Sequence, residues 1–68
     1  MALTPRMLGI KLRKLRKGRG LSQEALAKKA RLTRVYVNKL EAGRHDPSLS
    51  TLNALAKALG MRVTELLE

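Results

Sequence analysis

The stretch Leu21-Ser22-Gln23-Glu24-Ala25-Leu26-Ala27-Lys28-Lys29-Ala30-Arg31-Leu32-Thr33-Arg34-Val35-Tyr36-Val37-Asn38-Lys39-Leu40-Glu41-Ala42-Gly43 decides the fold. It reads as two short helices, about 22–30 and 33–42, joined by a link too tight for them to lie antiparallel. Ser22 and Thr33 stand where a side-chain oxygen accepts from an otherwise free backbone N–H at a helix start. Gly43 follows the second apolar pattern, where a left-handed residue commonly ends a helix. Leu26, Ala27 and Ala30 mark the buried side of the first helix, and Val37 and Leu40 that of the second.

Working outward, Pro5 suits a helix start, and Leu8, Leu12 and Leu15 mark one face of a helix that Gly18 and Gly20 end. Ile10 falls on the opposite side of that wheel. After the stretch, Gly43-Arg44-His45-Asp46-Pro47 reads as a loop. Ser48 is placed to cap a fourth helix whose stripe is Leu49, Leu52, Leu55, Ala56 and Leu59, ended by Gly60. Thr64 to Leu67 forms a short fifth helix, with Val63, Leu66 and Leu67 expected to close the core. Residues 1–4 are expected to be a flexible arm, and 5–68 one domain.

The apolar set is Leu and Ala, with no Phe or Trp and a single Tyr. That composition suits close helix packing and disfavours a sheet; the expected class is all-α. A chain of 68 residues buries only about 60% of its unfolded surface, so its stability margin is thin. No Cys is present, which excludes disulfides and thiolate metal sites. No apolar run approaches the roughly 18 residues of a membrane helix, and the start lacks a signal-peptide pattern. The expected location is cytoplasmic, with no membrane partner. The Met start and the Leu-Leu-Glu close read as a complete small gene product.

The formal net charge is +10, and it is unevenly spread. Residues 1–20 hold seven Lys/Arg and no acid, residues 21–45 hold six and two, and residues 46–68 hold two and three. A surface serving only solubility would not segregate its charge in this way; binding a polyanion accounts for it. On the second helix of the opening stretch, Val35, Asn38, Lys39 and Ala42 fall together on the side opposite Val37 and Leu40, with Arg34 beside them at the N-terminal end. Two of those four are apolar and the cation has no acidic i,i+4 partner, which is odd for a solvated face. In a DNA major groove it makes sense. Arg34 and Lys39 can donate to guanine O6 and N7, Asn38 can pair with adenine or a phosphate, and Val35 can meet a thymine methyl.

Residues 22–43 closely resemble the helix-turn-helix of the phage-repressor and Cro-like (XRE-type) family of transcription regulators. The resemblance extends to Leu12-Arg13-Lys14-Leu15-Arg16, Gly20-Leu21-Ser22-Gln23, Leu40-Glu41-Ala42-Gly43-Arg44, Pro47-Ser48 and the tail from Leu52 to Val63, so it covers almost the whole chain. It implies a compact five-helix, lambda-repressor-like DNA-binding domain in which the third helix enters the major groove and the second crosses the backbone. Gln23 matches a Gln that touches phosphate and often a base edge. Ser22 matches a cap that can share that phosphate at the helix N-terminus, and Thr33 caps the reading helix. Arg34, Val35 and Lys39 match base-reading positions, and Tyr36 and Asn38 match positions that contact backbone or bases variably. Gly43 and Arg44 match the loop on the next phosphate. The family also pairs an Arg at the position of Arg16 with a Glu at that of Glu41, tying the first helix to the end of the third. Many relatives carry Gly near Arg31; if Arg31 takes a positive φ, it does so at a cost.

The expected function is therefore a sequence-specific, double-stranded DNA-binding transcription regulator, acting as a homodimer at least on DNA. Candidate dimer contacts are Arg62, Glu65, Leu66 and Glu68, with apolar surface near Met61. The alternative is an antitoxin-like or adaptor protein that uses the same fold on a protein partner. No enzyme, cofactor or small-molecule effector is expected, since no nucleophile–base spacing or phosphate-cradling glycine loop is present. No metal is expected either, and His45, alone in a polar loop, suits a phosphate contact or plain solvent.

Overall fold

A computed structural model describes residues 3–68. Five helices follow one another: α1 Pro5–Gly18, α2 Gln23–Ala30, α3 Arg34–Glu41, α4 Leu49–Ala58 and α5 Val63–Leu67. Four starts carry a hydroxyl cap. Thr4, Ser22, Thr33 and Ser48 each accept, through the side chain, from the backbone N–H three residues on. At α5 the Glu65 carboxylate instead reaches back to the Arg62 N–H at 3.1 Å. Of the expected arm, Met1 and Ala2 lie outside the described residues, whereas Leu3 packs on the core and Thr4 caps α1.

The first four helices end in one geometry. Each closes on one left-handed residue, and the N–H that follows it reaches the carbonyl five residues back: Leu21 to Arg16, Leu32 to Ala27, Arg44 to Lys39 and Met61 to Ala56, all within 2.8–3.1 Å. This closing motif satisfies carbonyls that a helix end would otherwise leave free. Its left-handed residue is Gly20, Gly43 and Gly60 in three cases and Arg31, at φ 59, in the fourth.

The core gathers around Leu12, Leu26, Val37, Leu55 and Leu66, with Leu8, Ala27, Ala30, Leu40, Ala56 and Leu59 completing it. α2 packs on α3 and α4, while α1 spans from α3 to α5. Gly9 permits the approach of α1 to α3. A Cβ there would stand 2.5 Å from the Leu40 carbonyl oxygen and 2.6 Å from that of Glu41. Lys11 Nζ donates to the Glu65 and Glu68 carbonyls, and Arg19 Nε to the Leu59 carbonyl, so α1 also ties down the ends of α4 and α5.

Three expectations need correction. Leu49 is 64% exposed and Leu67 is 36% exposed, so neither closes the core. Leu49 is the first residue of α4 and Leu67 the last of α5. Leu66 is fully buried and is therefore unavailable as a dimer contact. In compensation, Leu21 and Leu32, in the links flanking α2, pack against the core.

Candidate nucleic-acid interface

Two hydroxyl-capped helix starts lie on α2 and α3. Ser22 Oγ accepts from the Ala25 N–H at 3.0 Å, and Thr33 Oγ1 from the Tyr36 N–H at 3.1 Å. Each cap satisfies one donor of its first turn. The N–H groups of the two residues before it have no partner within the helix, and they are the ordinary means by which a helix start takes a phosphate. Both hydroxyls are exposed and retain their own O–H to donate.

α3 turns Val37 and Leu40 inward and leaves Arg34, Val35, Asn38, Lys39 and Ala42 exposed. Val35 is 53% exposed, an apolar group held in water by the inward register of its neighbours. Among the described residues, Arg34, Lys39 and Arg44 form no ion pair. The outward face of α3 thus combines unneutralised cations, an amide and a methyl-bearing side chain. Tyr36 is half-buried, and its ring meets that of His45 with centroids 5.5 Å apart and planes tilted by 45°. This contact joins α3 to the loop that follows. Gly43, at φ 75, brings that loop against α1; a Cβ on it would stand 2.9 Å from the Arg6 Cα.

Behind this face lies the pair expected from the sequence. Arg16 Nε donates to Glu41 Oε2 at 2.6 Å and an outer guanidinium nitrogen to Oε1 at 3.0 Å, a two-point contact. A further guanidinium nitrogen donates to the Leu21 carbonyl at 2.7 Å. The Arg16 and Glu41 side chains are 9% and 4% exposed. The hydrogen bond to Glu41 pushes the Arg16 pKa up against the opposing effect of burial, and the attraction of the carboxylate adds to it. Gln23, half-buried, also belongs to this network: its Nε2 donates to Glu41 Oε1 at 3.1 Å, and its Oε1 accepts from Asn38 Nδ2 at 3.3 Å. Sequence reasoning placed Gln23 and Asn38 separately. Their contact across the two helices, and the small residue needed at Gly9, were not visible in any spacing along the chain.

The structure therefore places Ser22 and Gln23 at the start of α2, with Gln23 against Asn38, and Thr33, Arg34 and Val35 at the start of α3, with Asn38 and Lys39 further along its exposed side. Tyr36, Gly43 and Arg44 lie at the junction with the following loop.

A family model described as helix-turn-helix matches residues 12–66. The chain is similar to an immunity repressor protein of Bacillus phage phi105, 47% identical over 57 residues that make up 84% of this chain and 40% of that protein. This chain thus spans less than half the length of that repressor. The crystal structure of the restriction-modification controller protein C.AhdI from Aeromonas hydrophila superimposes with a TM-score of 0.90 at 41% identity, covering 93% of this chain and 96% of the other. The DNA-binding domain of the P22 c2 repressor superimposes with a TM-score of 0.83 at 30% identity, over 87% and 78% of the two chains. With five helices in this order, a capped helix pair at the centre and this match along most of its length, the chain belongs to the helix-turn-helix family of DNA-binding regulators.

Proposed function

We propose that this chain regulates transcription by reading a defined operator in double-stranded DNA, with α3 in the major groove and the starts of α2 and α3 on the flanking phosphates. The outward face of α3 carries the reading. Arg34, Val35, Asn38 and Lys39 are exposed together, without acidic partners, on a helix whose opposite side is locked into the core. Ser22, Gln23, Thr33, Gly43 and Arg44 position the domain on the backbone, and Tyr36 supports the loop that bears Arg44.

The operator is taken up by two copies. α3 has eight residues, about 12 Å at 1.5 Å per residue, and so spans about four base pairs. That is too short a site for useful selectivity, and a second copy one helical turn away doubles it. In the C-terminal third, Arg62, Glu65 and Glu68 are exposed and Met61 is half-buried, which leaves polar and apolar surface there for the second copy.

Selection of bound sequences from random duplexes tests this reading. The expected result is a two-fold symmetric consensus with half-sites about one turn apart. Lys39→Ala is expected to lose about 1–3 kcal/mol of preference at one or two base pairs of each half-site. Recovery of no consensus from the wild-type protein would reject specific reading.

A further inference from the structure

Gln23 and Asn38 each end in an amide, one side of which only accepts hydrogen bonds while the other only donates. A freely exposed amide turns over and serves either purpose. On this chain the turning is blocked from behind. The Glu41 carboxylate, ion-paired with Arg16 and 4% exposed, can only accept. Gln23 must therefore present Nε2 to it, and the two stand 3.1 Å apart. That leaves Gln23 Oε1 on the far side, where it can only accept, and Asn38 meets it with Nδ2 at 3.3 Å. Asn38 then meets a ligand with Oδ1, at the other corner of the same exposed amide, and with the second N–H of Nδ2 beside it. Turning Gln23 over would set Oε1 against the carboxylate in a water-poor site, losing the bond to Glu41 and adding a repulsion.

Building on the base-reading role given above to α3, we propose that Arg16, Glu41, Gln23 and Asn38 form a polarity-setting relay, which makes Asn38 a specificity-determining residue that offers its base an acceptor and a donor at fixed corners. Adenine N6 and cytosine N4 are the donors exposed in the major groove, whereas guanine and thymine show only acceptors there. Adenine alone sets an acceptor, N7, beside such a donor, so Asn38 selects adenine. Glu41 touches no base; it is a positioning residue that acts through Gln23. The pair that fastens α1 to α3 also decides which corner of an amide on the outer face is offered to DNA.

Site selection with four proteins tests the relay: wild type, Asn38→Ala, Gln23→Ala and Glu41→Gln. Glu41→Gln keeps the side chain's shape but both donates and accepts, so the Gln23 amide is no longer held one way round. In the wild type, one position per half-site is expected to be adenine, preferred by about tenfold. That same position is expected to fall below about threefold in all three variants, while positions sharpened by Arg34 and Lys39 stay sharp in Asn38→Ala and Glu41→Gln. Circular dichroism confirms folding. Should Glu41→Gln fail to fold, Gln23→Ala, at the half-buried first residue of α2, decides alone. The relay is overturned if the position lost in Asn38→Ala carries a base other than adenine, or if it stays sharp when Gln23 or Glu41 is changed. If the wild type selects no consensus, the reading function itself fails and the relay with it, a result distinct from a consensus indifferent to Glu41.

Discussion

Arg31 holds φ 59, at a position where three other helices of this chain end on glycine. A side chain in that region is crowded by its own carbonyl, at a cost of about 1–2 kcal/mol. Replacement by glycine removes this strain but frees the unfolded chain, which offsets part of the gain. Arg31→Gly is therefore expected to stabilise the fold by about 0.5–1 kcal/mol, read as a rise of a few degrees in Tm. Arg16 is the opposite case, a buried cation that the fold keeps satisfied through Glu41 and the Leu21 carbonyl. Glu41→Ala leaves it without its counter-ion, and a loss of about 3 kcal/mol is expected in chemical denaturation. The raised pKa of Arg16 sets the sign of its pH dependence. A group held protonated by folding contributes fully below its unfolded pKa and loses that contribution only as pH rises through the folded one. The Arg16 contribution should therefore persist from neutrality to about pH 10, and the difference in Tm between wild type and Arg16→Met is expected to stay constant over that interval.

At the scale of the element, α3 is placed by what lies behind it. Gly9 lets the α1 backbone come against the carbonyls of Leu40 and Glu41, next to the residue that pairs with Arg16. Helix propensity alone favours Gly9→Ala by about 1 kcal/mol. The added methyl meets backbone oxygen rather than a side chain that can swing aside, so α1 and α3 must separate. A net destabilisation of about 1–3 kcal/mol is expected, together with weaker operator binding because the Arg16–Glu41 contact lengthens. A Tm equal to or above that of the wild type would refute this account of the helix approach. Leu8, Leu12, Val37 and Leu40 could be assigned from periodicity, since each repeats at the spacing that brings it to one side of its own helix. Gly9 could not, because its role comes from a helix more than thirty residues away.

For the whole molecule, charge and size set the terms of binding. A net charge of +10 on a body of 29 × 23 × 21 Å ensures attraction to any duplex, with an affinity that falls steeply as salt rises. In the proposed mode of reading, selectivity comes from the few groups on α3, superimposed on that general attraction. Arg44, exposed in the loop after α3, is assigned to the general part in that proposal. Arg44→Ala is expected to weaken binding to specific and random duplexes by similar factors and to reduce the slope of log K against log salt by about 1. Lys39→Ala is expected to lower the ratio between specific and random binding. Titration of both variants at several salt concentrations separates the two contributions.

The sequence by itself determined the helices and their ends. Caps, left-handed closures and apolar periods are local, and Ser22, Thr33, Ser48 and Gly43 each act within one turn of their own position. It also determined the outward stripe of Arg34, Val35, Asn38 and Lys39, because the side opposite two buried residues is fixed by helix geometry alone. Tertiary structure decided what depends on distance through space. It buried Leu66 and left Leu49 and Leu67 in water, since the share of an apolar stripe that is covered depends on where the neighbouring helix ends. It also decided that Gln23 stands between Glu41 and Asn38. A hydrogen bond between side chains on separate helices requires both helices to be docked, and that docking is set jointly by the whole core.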